Sequence, residues 1–175
     1  LEEFASEEQW ELQNRIIWVK SLYAAGKTHG HFKPINSERF LNDCFEEVFH
    51  FTKSGNSPID RLAIGVPYED KSNESRWESA GNVRCRGNVW FIPYETISDR
   101  GKKRGGHPAT FPVALPEMCA MLAGAESMAD PMVGTGSTVL AARRLDIRGY
   151  GVDVSSDYLD FAIERICNEE ARLPL

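Results

Sequence analysis

Asp130-Pro131-Met132-Val133-Gly134-Thr135-Gly136-Ser137-Thr138 stands between a short strand, Ser127 to Asp130, and a helix, Ser137 to Leu145. Glycines let the backbone turn tightly at the strand end and approach a ligand closely. The free N–H groups of the following helix then point at the same place. Tyr150 to Val154 reads as the next strand, and Asp153 near its tip lies 23 residues after Asp130. Ser155 or Ser156 caps a further helix, with Tyr158, Leu159, Ala162, Ile163 and Ile166 at helical spacing. Strand, glycine turn, helix, strand, helix is the order of a parallel α/β sheet. A carboxylate at the tip of the second strand is placed to accept both hydroxyls of a ribose, so the unit reads as a nucleoside-cofactor site. Val139 stands where the dinucleotide fingerprint has its third glycine, which argues against NAD.

Working back from the turn, Pro116 to Leu122 reads as a helix, with Pro116 in its first turn and Met118, Met121 and Leu122 at helical spacing. Val89 to Ile92, Phe45 to Thr52 and Ile16 to Val19 are short runs rich in branched and aromatic residues, each a strand candidate. Residues 2–13 read as a surface helix, 21–36 as loop, 53–88 as an irregular excursion and 98–110 as a basic, glycine-rich loop.

The 175 residues carry a net charge of −6, with 42% apolar and 26% charged residues, a globular composition. The acidity is local: Glu2, Glu3, Glu7, Glu8 and Glu11 crowd the first eleven residues. Between Arg76 and Arg104 seven basic residues face three acids, so the overall charge conceals a region suited to phosphates. A solvated surface loop is the competing reading of that region. Cys44, Cys85, Cys119 and Cys167 are widely spaced and form no CxxC pair, which points to free thiols in a reducing compartment. No apolar run long enough to span a membrane is present, and secretion is not expected, since no basic-then-apolar stretch opens the sequence. Ser21 to Thr28 nearly matches a phosphate-binding P-loop, but Ser21 replaces its first glycine and His29 to Pro34 cannot continue as a helix. His29 and His31 lack a nearby third ligand, so no metal site is expected.

The stretch 130–138 resembles the Asp-Pro-Phe-x-Gly-Ser-Gly-Thr-Thr signature of the DNA amino-methyltransferases, with Met132 where that family has Phe. His107-Pro108-Ala109-Thr110-Phe111-Pro112-Val113-Ala114-Leu115-Pro116-Glu117 is similar to the family's His-Pro-Ala segment. Gly149 to Asp153 followed by Tyr158 resembles its Gly-x-x-Glu stretch, and Arg15 to Lys20 with Asn42 to Lys53 resemble two of its strands. The resemblance covers residues 14–166, and its motif order is that of the circularly permuted β group. It implies a Rossmann-like, S-adenosylmethionine-dependent methyltransferase fold of α/β class. The implied activity is methyl transfer to adenine N6 or cytosine N4 of double-stranded DNA, in the prokaryotic or phage cytoplasm, within a restriction-modification system and with a possible cognate restriction enzyme. It implies that Asp130, Pro131, Met132, Gly134, Gly136 and Thr138 line the cofactor, that Asp153 takes its ribose, and that His107, Thr110 and Phe111 close over its methionine end. Lys27, His31, Arg76, Arg84, Arg86, Lys102, Lys103 and Arg104 are the expected DNA contacts, with Trp77 available for stacking.

The family's chemistry is done at Asp/Asn/Ser-Pro-Pro-Tyr/Phe, where the target base is held after flipping. No such tetrapeptide occurs in the chain. Gly65-Val66-Pro67-Tyr68 and Phe91-Ile92-Pro93-Tyr94 share only the Pro-Tyr end and read as structural. We therefore expect a C-terminal portion of an enzyme, cut at Leu1, with the central strands of its sheet missing and no catalytic residue of its own. Its expected organisation is a helix and two strands over 1–53, a target-recognition region over 54–104 and a cofactor-binding part over 105–175. Such a chain needs a separate N-terminal half or pairs with itself. The alternative of another class is a cofactor- and DNA-binding module without activity.

Overall fold

In the computed structural model, the chain is described for residues 10–32, 36–69, 82–94 and 110–169. It divides into two compact units, one ending at Tyr94 and the other beginning after it.

The first unit is built on strand β1 (Glu11–Val19), which carries the hairpin partners β2 (Ser21–Ala24) and β3 (Lys27–Gly30) directly after it. β4 (Phe45–Thr52), β5 (Val66–Pro67), β6 (Val83–Arg84) and β7 (Val89–Phe91) follow. β1 is the centre of a three-stranded sheet, antiparallel to β4 and parallel to β7. Every second residue of β1 faces inward in its apolar half, so Ile16 and Trp18 are buried, as are Trp90 and Ile92 from the β7 segment, with Trp18 opposite Trp90. Both indoles are satisfied: Trp18 Nε1 donates to Ile92 O at 2.8 Å and Trp90 Nε1 to Gly87 O at 3.0 Å.

Three expectations fail in this unit, the first being the irregular excursion over 53–88, which contains the antiparallel pair β5 and β6. The surface helix over 2–13 lies mostly outside the described residues, but its last residues, Glu11 to Gln13, are strand. Polar side chains disguised that strand. Gln13 Oε1 accepts from Thr52 Oγ1 at 2.9 Å and from Ser57 N at 2.8 Å, while its Nε2 donates to Ser57 O at 2.7 Å. The expected loop over 21–36 contains the β2–β3 hairpin, paired from Ser21↔Gly30 to Ala24↔Lys27. Its turn is Ala25-Gly26, with φ of +50° and +76°, the two left-handed residues that a two-residue hairpin turn requires. Alanine is strained at that φ. Ala25→Gly is expected to stabilise the unit by about 0.5–1 kcal/mol, read as a rise in the urea midpoint.

In the second unit, α1 (Ala114–Ala123), β8 (Ser127–Asp130), α2 (Ser137–Arg144), β9 (Arg148–Gly151) and α3 (Ser156–Asn168) alternate as expected. β8 and β9 are parallel, from Ser127↔Arg148 to Asp130↔Gly151. β9 starts and ends earlier than the expected 150–154. Gly149 and Gly151 belong to the strand because α2 and the turn lie against it. A Cβ on Gly149 would fall 2.9 Å from Ala142 Cβ, and one on Gly151 2.7 Å from Val133 Cγ2. Val113, Leu140 and Ala141 form the core, with Met128 and Ile166 packed on it. Met128 thus gives β8 its inward anchor despite the strand's lack of branched residues. The stripe expected on α3 is only partly buried: Ala162 is inside, whereas Ile163 is 59% exposed. Arg144 joins three elements, its Nε donating to Glu169 Oε1 at 2.7 Å and its Nη1 to Glu117 Oε1 at 3.3 Å. Burial alone would lower the guanidinium pKa, but the two carboxylates raise it overall.

The four cysteines are free thiols. Burial pushes the Cys119 thiol up to about 11. Among the described residues, no helix is long and apolar enough to cross a membrane.

Candidate functional site

β8 ends at Asp130, and the chain turns through Pro131–Thr135 into α2. Gly134 and Gly136 adopt φ of +50° and +83°. Gly136 is the residue before α2, and no side chain caps that helix, so its first N–H groups are left to other partners. A Cβ on Gly136 would meet Ala162 Cβ of α3 at 2.9 Å. The glycine therefore serves both the turn and the close approach of α3.

The two acids expected in the site are the supports of this turn. Asp130 Oδ2 accepts from Thr138 Oγ1 at 2.6 Å and its Oδ1 from Met132 N at 3.0 Å. Asp153 Oδ2 accepts from Gly134 N at 2.8 Å and its Oδ1 from Ser155 N at 3.0 Å. The ladder continues past β9, with Val152 N donating to Asp130 O and Val133 N to Val152 O, both at 2.9 Å. Asp153 is thereby held beside the turn rather than at a free strand tip.

Thr110 and Phe111 lead into α1, and Phe111 O accepts from Ser137 Oγ at 3.1 Å. The segment before α1 thus meets the N-terminus of α2. Pro131 and Met132 are exposed, Met132 by 82%, while Val133 to Thr138 are buried. So the second unit brings together Phe111, Asp130, Gly134, Gly136, Thr138 and Asp153, with Thr110 next to Phe111 in the chain. His107 lies outside the described residues.

Two contributors to the turn escaped sequence reasoning. Arg165 Nη1, from α3, donates to Thr135 O at 3.0 Å and to Ser137 Oγ at 3.3 Å. Ser137 itself is buried. Arg165 lies at helical spacing from Tyr158, Ala162 and Glu169. A cation on that buried row is the signal that could have found it.

The expected DNA contacts fall in the first unit or outside the described residues. Lys27 on β3 and His31 just past it are exposed. Arg84 on β6 is exposed, with Nη1 donating to Cys85 O at 3.4 Å. Arg86 is half-buried, and its Nε donates to Ile64 O at 2.9 Å, so part of its guanidinium is occupied in folding. Arg76, Trp77, Lys102, Lys103 and Arg104 lie outside the described residues. A cavity of about 280 Å³ in this unit is lined by Lys20, His31, Phe32, Asn42, Asp43 and Tyr94 among others. Glu46 Oε1 ties Lys20 Nζ at 3.1 Å to Tyr94 OH at 3.2 Å on its wall. Among the described residues, no group of three or more His, Cys, Asp and Glu is placed to hold a metal ion.

The sequence is 26% identical over 156 residues to the Type II methyltransferase M.HpaI of Haemophilus parainfluenzae, covering 87% of this chain and 45% of that protein. It is 25% identical over 169 residues to the Type II methyltransferase M.Cfr9I of Citrobacter freundii, covering 95% of this chain and 48% of that protein. The chain thus spans about half the length of these curated relatives. Among solved structures, the cytosine-N4-specific PvuII DNA methyltransferase superposes with a TM-score of 0.67 at 16% identity, over 98% of this chain and 56% of that one. The M1.HpyAVI–SAM complex gives 0.61 at 19% identity, over 93% of this chain and 66% of that one. These likenesses establish an α/β methyltransferase fold. The sequence profile of the N6_N4_Mtase family, described as DNA methylase, matches residues 2–164, and the chain belongs to that family.

Proposed function

We propose that this chain is the cofactor-holding and DNA-contacting part of a Type II DNA methyltransferase that modifies an exocyclic amine, adenine N6 or cytosine N4. The observation that carries the reading is the glycine turn at the carboxyl end of a parallel strand pair, with Asp153 bonded to Gly134 N at its side. That is where open α/β sheets bind ligands. The donor set fits S-adenosylmethionine: an acid beside the turn for ribose hydroxyls, uncapped helix N–H groups for a carboxylate, and an exposed thioether at Met132. The M1.HpyAVI structure, by its own description a complex with SAM, supports the assignment. When bound, the cofactor supplies an electrophilic methyl group on a sulfonium.

The chain's own work is positioning. Asp130 and Asp153 hold the turn in shape, and the Phe111 segment borders the same helix N-terminus. No catalytic residue is assigned, since Asp/Asn/Ser-Pro-Pro-Tyr/Phe is absent from the sequence. Among the described residues β8 pairs only with β9. Tyr150, Val152 and Val154 stand exposed on and after β9. Both features support an incomplete sheet that takes further strands from a separate N-terminal half or a second copy.

Titration calorimetry with S-adenosylhomocysteine tests the cofactor reading. Binding is expected for the parent chain, and Asp153→Ala should weaken it by about 10–100-fold, the worth of hydrogen bonds to a charged acceptor. Unchanged affinity in that variant would remove Asp153 from the site. For DNA, Lys27→Ala should lower the slope of log affinity against log salt by about one, as loss of a phosphate contact does. An unaltered slope in filter binding would count against Lys27.

A further inference from the structure

The glycine turn is gripped residue by residue from one side. Gly134 N donates to Asp153, in the leader of α3. Thr135 O accepts from Arg165. Gly136 lies so close to Ala162 that even a methyl group would collide. Arg165 also reaches Ser137 Oγ, and Ser137 passes its own proton to Phe111 O. A hydroxyl has one proton to give and lone pairs to receive, so this chain of two bonds fills it consistently. One guanidinium therefore links α3, the turn, the first residue of α2 and the segment before α1.

Its charge is on the wrong end of α2. A cation near a helix N-terminus opposes the macrodipole, which favours anions there. A neutral donor could fill the Thr135 carbonyl without that penalty. The fixed fork of an arginine is what lets a single nitrogen serve both Thr135 O and Ser137 Oγ in defined directions.

We propose that Arg165 is a positioning residue for the cofactor site: through Thr135 and Ser137 it sets the glycine turn and the Phe111 segment against each other. The proposal rests on the cofactor reading above for its effect on ligand affinity, and on the hydrogen bonds alone for its effect on the turn.

The test uses the full chain with Arg165→Gln, Arg165→Lys and Ser137→Ala, in two arms. In hydrogen–deuterium exchange, Arg165→Gln should speed exchange at least tenfold in peptides covering 110–114 and 133–138, and leave 139–145 of α2 within twofold. Arg165→Lys should restore part of the protection. Ser137→Ala should loosen 110–114 and leave the Thr135 side protected. In calorimetry, Arg165→Gln should weaken S-adenosylhomocysteine at least tenfold and adenosine less than threefold, because Asp153 remains in place. Ser137→Ala added to Arg165→Gln should cost no further affinity. Unchanged exchange in both peptides overturns the proposal, as does a uniform rise across the whole unit, which marks plain destabilisation. Equal losses for the two ligands overturn it also. If the parent chain binds neither ligand, the cofactor reading fails, and exchange alone still decides whether Arg165 sets the turn.

Discussion

Trp90→Ala should destabilise the first unit by about 3–5 kcal/mol, the range for deleting a large buried aromatic. Trp90 is 1% exposed and sits opposite Trp18 in the parallel β1–β7 register. Deletion leaves a cavity beneath the central strand and orphans the Gly87 carbonyl, which accepts the indole proton. β7 is three residues long, so its place beside β1 depends on that packing more than on its ladder. A domain of this size has about 5–15 kcal/mol in total, so the loss takes a large share of it. Trp90→Phe keeps most of the volume and loses the hydrogen bond, and should cost about 1–2 kcal/mol. Amide exchange of β1 under mild urea reads both. If Trp90→Ala left β1 protected to the parent level, the sheet would owe its stability to something other than this indole.

How much of this could be read from sequence varied with where each residue's partner lies. β4 was legible to the residue, because Phe45 to Thr52 is apolar enough to announce itself. The start of β1 was not. Gln13 and Asn14 look like surface residues until Thr52, Ser57 and His50 are brought to them from across the sheet. The β2–β3 hairpin was hidden by its turn, since Ala25-Gly26 lacks the Asn-Gly or Asp-Gly pair that marks such turns. In the second unit, the order of strand, turn and helix placed Asp130 and Asp153 correctly beside the glycines. Their bonds to Thr138, Met132, Gly134 and Ser155 add what spacing cannot show: the acids build the turn they border. Arg165 was not singled out from sequence. Its partners, Thr135 O and Ser137 Oγ, lie about 30 residues away in the chain and are brought to it only by the packing of α3 on the turn.

Methyl transfer to DNA is expected to be absent from this chain alone, even where S-adenosylhomocysteine binds. The reaction needs a target amine held against the methyl donor, and such positioning accounts for about 7–11 kcal/mol in well-oriented systems. The group that holds the amine in the resembling enzymes is the Pro-Pro-Tyr motif, which these residues do not contain. The proposed complement would dock on the second unit. β8 has β9 as its partner among the described residues, and the tip of β8 carries Asp130 into the turn. A strand added to the other edge of β8 would end beside the same turn, because parallel strands of one sheet bring their carboxyl ends to one side. A second polypeptide bearing Asp- or Ser-Pro-Pro-Tyr on such a strand should therefore raise tritiated-methyl incorporation by about 10⁵-fold or more, the lower end of what positioning supplies. Nucleoside analysis of the product then identifies the target as N6-methyladenine or N4-methylcytosine. Sedimentation gives an independent check: exposed Tyr150, Val152 and Val154 favour self-association or a complex over a lone monomer. Incorporation by the 175-residue chain alone, as a monodisperse and cooperatively melting monomer, would sink the requirement for a complement and place a catalytic group within these residues after all.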